Sequence, residues 1–303
     1  MDFENSKNPV DQLVHLYEDG AFNRRDLIRR VAKYTGSVAS AAVMIDALAV
    51  PADAQQSGCL ADVRVPEDAE DLNSEMVSYP GQISTVLGYL SRRRDLAVDV
   101  THPAVLVIHE NAGLTPHIMD VTRRIARAGF VALGVDLLSR YGGTQNYPDP
   151  ADAQRAYNSL SSAGHLEDML SSLEFLKGTF FVNGDRLGAL GFCAGGGNCW
   201  NIAVGSQNIK AAAIFYGLPP AVDLLDKLNG PVLLNYAELD RNFSGRVPAI
   251  VTALNDKRKT YGLNIYEGAS HAFHNDTSPN YNATAACDAW SKTVSLFNRH
   301  LRK

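Results

Sequence analysis

The sequence predicts an α/β fold, one domain on a doubly wound, mainly parallel sheet, and three observations carry that expectation. From about residue 75 to the C-terminus, short β-rich apolar runs alternate with helical stretches. The runs are apolar throughout rather than alternating, as in strands covered on both faces. One of them ends in a glycine-flanked turn that opens a helix. The 303 residues are 46% hydrophobic and 20% charged, an ordinary soluble composition, and the net charge of −5 argues against a nucleic-acid partner. Cys59, Cys193, Cys199 and Cys287 show no CxxC pair and are too sparse for a disulfide framework, so no structural zinc site is expected.

Residues 1–54 read as a separate segment. After a polar, acidic start, Asn23-Arg24-Arg25-Asp26-Leu27-Ile28-Arg29 forms a basic cluster, and residues 38–50 are mostly small and apolar. That run is shorter than the roughly 18 residues a membrane helix needs. It suits the apolar core of a signal peptide, with Ala52-Asp53-Ala54 as the small-x-small cleavage pattern. The arginine pair resembles a twin-arginine export signal, although Leu27 stands where phenylalanine is usual and Asp46 charges the apolar run. The alternative is a retained helical arm, since Leu27, Val31, Tyr34 and Val38 fall near helical spacing. The first reading places the protein in the periplasm and the second in the cytoplasm. Neither leaves a stable membrane span in the mature protein.

Residues 55–303 form the predicted domain. An irregular lead-in over 55–74 precedes two strands within 75–90, joined at Pro80-Gly81. Buried strands are expected at 104–109, 130–135, 187–191, 211–216 and 231–236, with a short one at 264–266. Helices are expected at 116–128, 151–177 (with a break near Gly164), 194–204 and 247–261. A last helix carries Ala286, Trp290, Val294, Phe297 and Leu301 at helical spacing.

The chemistry centres on Gly191-Phe192-Cys193-Ala194-Gly195-Gly196. This is the strand–nucleophile–helix turn of an α/β-hydrolase, with cysteine in place of serine. Glycines two residues either side are needed because side chains there would collide with the neighbouring strand and helix. The helix N-terminus beside Cys193 favours a thiolate. In this fold an acid and then a histidine follow the nucleophile, each on a loop at the C-terminal end of a strand. Asp240 and His271 fill those places; Glu238 is a rival acid, and His274 a rival base better read as a rim residue. Glu110 ends the first central strand. The amides of Asn111 and Ala194 would form the oxyanion hole. A metal cluster of His109, Glu110, His271, His274 and Asp276 is disfavoured, because His-x-x-His suits a helix face and this is a Gly-rich loop. No cofactor is expected.

Together these motifs resemble the dienelactone hydrolase family from about Glu75 onward. Glu110, the Cys193 turn, Asp240 and Gly268-x-x-His271-x-Phe273 stand in four separate places in the family's order. More narrowly, His109-Glu110-Asn111 and the stretch from His271 to Thr277 resemble an exported bacterial subgroup. The resemblance implies a small ester or lactone substrate and an acyl-enzyme on Cys193. It also implies that Glu110 keeps the resting thiol neutral until substrate displaces it. The family's dienelactone enzymes clamp a substrate carboxylate with two arginines. Here Asn275 and Ala153 occupy those neighbourhoods, so dienelactone itself is disfavoured unless Arg140, Arg155 or Arg241 takes over. The competing readings are a non-catalytic α/β-hydrolase scaffold binding a small ligand or partner, and a thiol redox protein using Cys193 and Cys199. Oligomeric state stays open.

Overall fold

The computed structural model describes residue 29, residues 31–34 and residues 64–302. Strands β1 (Leu72–Pro80) and β2 (Thr85–Arg93) form an antiparallel hairpin, closed by a bond from Gly81 N–H to Ser84 O at 3.0 Å. Six further strands complete an eight-stranded sheet: β3 (His102–Ile108), β4 (Val131–Asp136), β5 (Val182–Phe192), β6 (Ile209–Phe215), β7 (Val232–Ala237) and β8 (Tyr261–Tyr266). Their order is β1-β2-β4-β3-β5-β6-β7-β8; β2 lies antiparallel to β4, and from β4 to β8 every pairing is parallel.

That order locates the site. From β3 the chain crosses to β4 on one side and then returns to β5 on the other. The C-terminal ends of β3 and β5 therefore flank the topological switch point, where open α/β sheets leave a crevice. Glu110 follows β3 and Cys193 follows β5.

The helices cover both faces because strand residues alternate between them. Leu106 and Ile108 face one apolar layer, with Met169, Leu173 and Leu176 of α3 (Ser162–Gly178) and Trp200 and Ile202 of α4 (Ala194–Gly205). Val105 and Val107 face the other, with Ile118, Val121 and Ile125 of α1 (Pro116–Arg127) and Trp290, Phe297 and Leu301 of α7 (Ala283–Leu301). Pro116 starts α1 at the position where a missing N–H costs nothing.

Several boundaries differ from expectation, each for a local reason. The helix expected at 151–177 is two, α2 (Pro150–Ser159) and α3, and the break falls at Leu160-Ser161 rather than near Gly164. There the Ser161 hydroxyl caps α3 by accepting from Gly164 N–H at 3.2 Å. The helix expected to reach Tyr261 is α6 (Val247–Asp256), which follows the one-turn α5 (Arg241–Ser244). Arg258 closes α6 with a positive φ of 53°, and Lys259 N–H bonds back to Leu254 O at 2.9 Å. Tyr261 then opens β8, which is longer than expected. β1 begins at Leu72, inside the anticipated lead-in.

Residues 31–34 are helical, with Val31 buried and Tyr34 56% exposed. The Arg24-Arg25 pair, the apolar run at 38–50 and Ala52-Asp53-Ala54 lie outside the described residues. Among the described residues no helix is long and apolar enough to cross a membrane.

Candidate active site

Cys193 sits on the turn between β5 and α4 with φ 54° and ψ −119°. A non-glycine residue there carries strain of about 1–3 kcal/mol. The surroundings hold it: Cys193 N–H donates to Phe215 O at 3.0 Å, and Gly197 N–H donates to Cys193 O at 3.2 Å. The flanking glycines are sterically required. A Cβ on Gly191 would lie 2.1 Å from Gly195 O, and one on Gly195 would lie 2.2 Å from His109 O. The second contact also shows how closely the start of α4 approaches the turn after β3. It brings Ala194 against the segment that carries Glu110 and Asn111.

Asp240 follows β7 and His271 follows β8, and the structure joins them. His271 Nδ1 bonds Asp240 Oδ2, with the carboxylate nearly buried and the ring 30% exposed. A carboxylate only accepts, so Nδ1 carries the proton and Nε2 is left as the acceptor. Leu239 N–H donates to Ala269 O at 3.0 Å and stitches the two loops together. Glu238, the rival acid, instead accepts from Gly268 N–H at 3.1 Å. The His271 ring lies between Phe243 and Tyr216, at centroid distances of 4.8 and 4.9 Å. Tyr216 follows Phe215, the residue that anchors Cys193, so these ring contacts bring the histidine towards the Cys193 turn. Tyr216 (φ 39°) and Ala272 (φ 64°) are, like Cys193, strained non-glycine residues, which cluster here.

Glu110 is half-buried. Its Oε2 accepts from Asn275 Nδ2 at 3.0 Å, while Oε1 is buried without a hydrogen-bond partner. His109 is fully buried and structural: Nδ1 donates to Glu110 O, and Nε2 accepts from Leu137 N–H at 2.9 Å. Together they fix the turn from which Glu110 and Asn111 project.

The Cys193 thiol is pushed up to about 11, first by burial and then by the Glu110 carboxylate, with Asp240 adding to it. The Ala194 N–H at the start of α4 pulls the other way, as expected of a helix N-terminus, but does not win. His274 corrects an expectation. It is no rim residue but fully buried, packed against Phe192, Phe215 and Trp290, and burial holds it neutral. Among the described residues no three His, Cys, Asp or Glu side chains group as metal ligands.

Three features were not visible in the sequence. Tyr157 of α2 is buried, accepts from Asn198 Nδ2 at 2.7 Å, and has its phenol raised first by burial and then by proximity to Cys193. Asp276 is a charge hub, accepting from Arg64 Nε at 3.0 Å, Arg124 at 2.9 Å and His117 Nδ1 at 3.1 Å. These bonds, His117 first, hold its carboxyl well below the usual carboxylate range. Third, Cys287 is disulfide-bonded, whereas Cys193 and Cys199 are free thiols. One bridge needs no dense framework.

Of the arginines that could meet a substrate anion, Arg140 is committed to Asp168 and Glu167. Arg155 lies exposed against Asp152, and Arg241 is exposed at the start of α5.

The model of the Dienelactone hydrolase family matches residues 90–301. The chain belongs to that family. It is therefore a hydrolase of the ester and lactone type. Dienelactone hydrolase relatives include a Synechocystis protein, "Putative carboxymethylenebutenolidase", 31% identical over 77% of this chain and 99% of its own. A Bradyrhizobium protein, "Probable 2-oxo-3-(5-oxofuran-2-ylidene)propanoate lactonase", is 31% identical over 71% of this chain and 90% of its own. Among solved structures, the "Putative Dienelactone Hydrolase" of Klebsiella pneumoniae superimposes with a TM-score of 0.69 at 28% identity, covering 76% of this chain and 99% of that one.

Proposed function

We propose that the protein is a thiol-dependent hydrolase of neutral carboxylic esters or lactones, working through an acyl-enzyme on Cys193. The observation that carries this reading is the Asp240–His271 pair set against the strained Cys193 turn at the switch point of the sheet.

Cys193 Sγ attacks the carbonyl carbon while its proton passes to His271 Nε2, and the Asn111 and Ala194 amides receive the oxyanion. The ester C–O bond breaks and His271 returns the proton to the leaving oxygen, which in a lactone stays tethered to the acyl chain. Water then attacks the thioester, giving its proton to His271. Collapse releases the carboxylic acid and restores the thiol. Asp240 holds the ring in the tautomer this needs and balances the imidazolium.

The neutral preference rests on the cations. A carboxylate taken from water needs a paired charge, and Asn275 and the buried Ala153 supply none. Arg140 is already neutralised by two acids. Purified protein should therefore turn over a neutral lactone with kcat/KM at least about a hundred-fold above that for a carboxylate-bearing dienelactone, the effect of a missing charged partner worth about 3–5 kcal/mol. Equal turnover would show that Arg241 or Arg155 grips the anion.

Residues 1–54 act, in this reading, as a twin-arginine export leader. The Arg24-Arg25 pair and Ala52-Asp53-Ala54 support it, as does the disulfide at Cys287, since such bonds persist in oxidising compartments. Replacing both arginines with lysine should retain the protein in the cytoplasm on cell fractionation. Unchanged periplasmic recovery rules the route out.

A further inference from the structure

The Glu110 carboxylate is held asymmetrically. One oxygen takes the Asn275 amide N–H at 3.0 Å, and the other is buried and bonded to nothing. The holder cannot turn its amide around. Asn275 Oδ1 already accepts from Thr277 N–H at 3.0 Å and from the Thr277 hydroxyl at 2.6 Å, so Nδ2 must face Glu110. Neighbours on both sides fix the backbone. His274 is sealed among Phe192, Phe215 and Trp290, and Asp276 is tied to Arg64, Arg124 and His117.

We propose that Asn275 is a positioning residue that holds Glu110 against Cys193 and so keeps the resting thiol from reacting. It acts through Glu110 and does not itself touch the reacting atoms. The other groups within reach of the Glu110 charge are Cys193 and the buried Tyr216, with Asp240 adding its charge at the thiol. None of the three carries a positive charge and none bonds Glu110, whose Oε1 has no partner and whose Oε2 takes the amide, so the anchoring falls to Asn275. The holder is uncharged, and no cation in it has to be competed away before Glu110 moves. This agrees with the neutral substrates proposed above and rests on that reading for its meaning, but not for its test.

Without Asn275 the half-buried carboxylate has no donor and turns to water. Its charge then leaves the thiol and the thiolate fraction rises. The probe is iodoacetamide with the full-length protein at pH 7, with modified Cys193 followed by peptide mass spectrometry. Asn275→Ala should raise the second-order rate of Cys193 alkylation about tenfold, the equivalent of about one pH unit in the thiol. Glu110→Gln should raise it similarly, and the double variant should gain nothing beyond Glu110→Gln, because the two residues act as one unit. Asn275→Ser, which keeps a small polar side chain, carries the same expectation should the alanine variant fail to fold. An unchanged or slower rate overturns the proposal, as does an effect that multiplies with that of Glu110→Gln. No ester is involved, so the result stands whether or not the esterase reading survives.

Discussion

Replacing Cys193 with alanine is expected to lower kcat/KM for a neutral activated ester by at least about 10⁴-fold, the scale seen when a nucleophile is removed from an acyl-transfer site. The remaining turnover would come from binding and from the oxyanion amides alone. Alanine fits the backbone no worse than cysteine at φ 54° and removes only the Sγ atom, so the fold should be unchanged. Cys199→Ala is the matching control. Its thiol is fully buried, bonds Ala213 O at 3.5 Å, and faces the core rather than the crevice. That variant should lose stability, by about 1 kcal/mol for the missing packing, and keep its turnover. Full activity in Cys193→Ala would overturn the assignment of the nucleophile.

The second large effect concerns the base and its partner. His271→Ala should cost about 10³-fold in kcat, within the range of general acid–base contributions. Asp240→Asn should cost as much or more, up to about 10⁴-fold. An asparagine can offer its amide N–H to Nδ1, which would leave the proton on Nε2 and the wrong face of the ring towards the thiol. Because KM reflects contacts these residues do not make, the loss should fall on kcat. A variant that changes only KM would point instead to a binding role for the His271–Phe243 ring contact.

Much of this site can be read from the sequence because its parts lie at strand ends. The strands β3, β5 and β6 end in apolar runs and β7 is interrupted only by Asn235, so the residues just after β3, β5 and β7, Glu110, Cys193 and Asp240, are legible as crevice residues. Where local pattern and tertiary environment diverge, the reading fails. His274 lies in a polar stretch, and only the fold reveals that Phe192 and Trp290 enclose it. The neutral thiol is legible only through the family resemblance, because the burial that raises it is encoded by no local motif. The start of β8 is masked by the helical spacing that continues from α6 into Tyr261. The contact between Asn275 and Glu110 joins two loops that meet only once β3 and β8 occupy one sheet.

The cysteines also make the protein a convenient reagent for counting its own working copies. Cys193 is partly open to solvent, Cys199 is sealed in the core with its thiol pushed far up by burial, and Cys287 is spent in a disulfide. Among the described residues a single free thiol is therefore available to an electrophile while the fold is intact. A fluorescent haloacetamide applied to native protein would mark Cys193, and denaturation would uncover Cys199 as an internal standard. The ratio of the two signals reports the fraction of molecules whose Cys193 is still a thiol. Oxidation in storage would then appear as a falling ratio before any loss of structure could be detected.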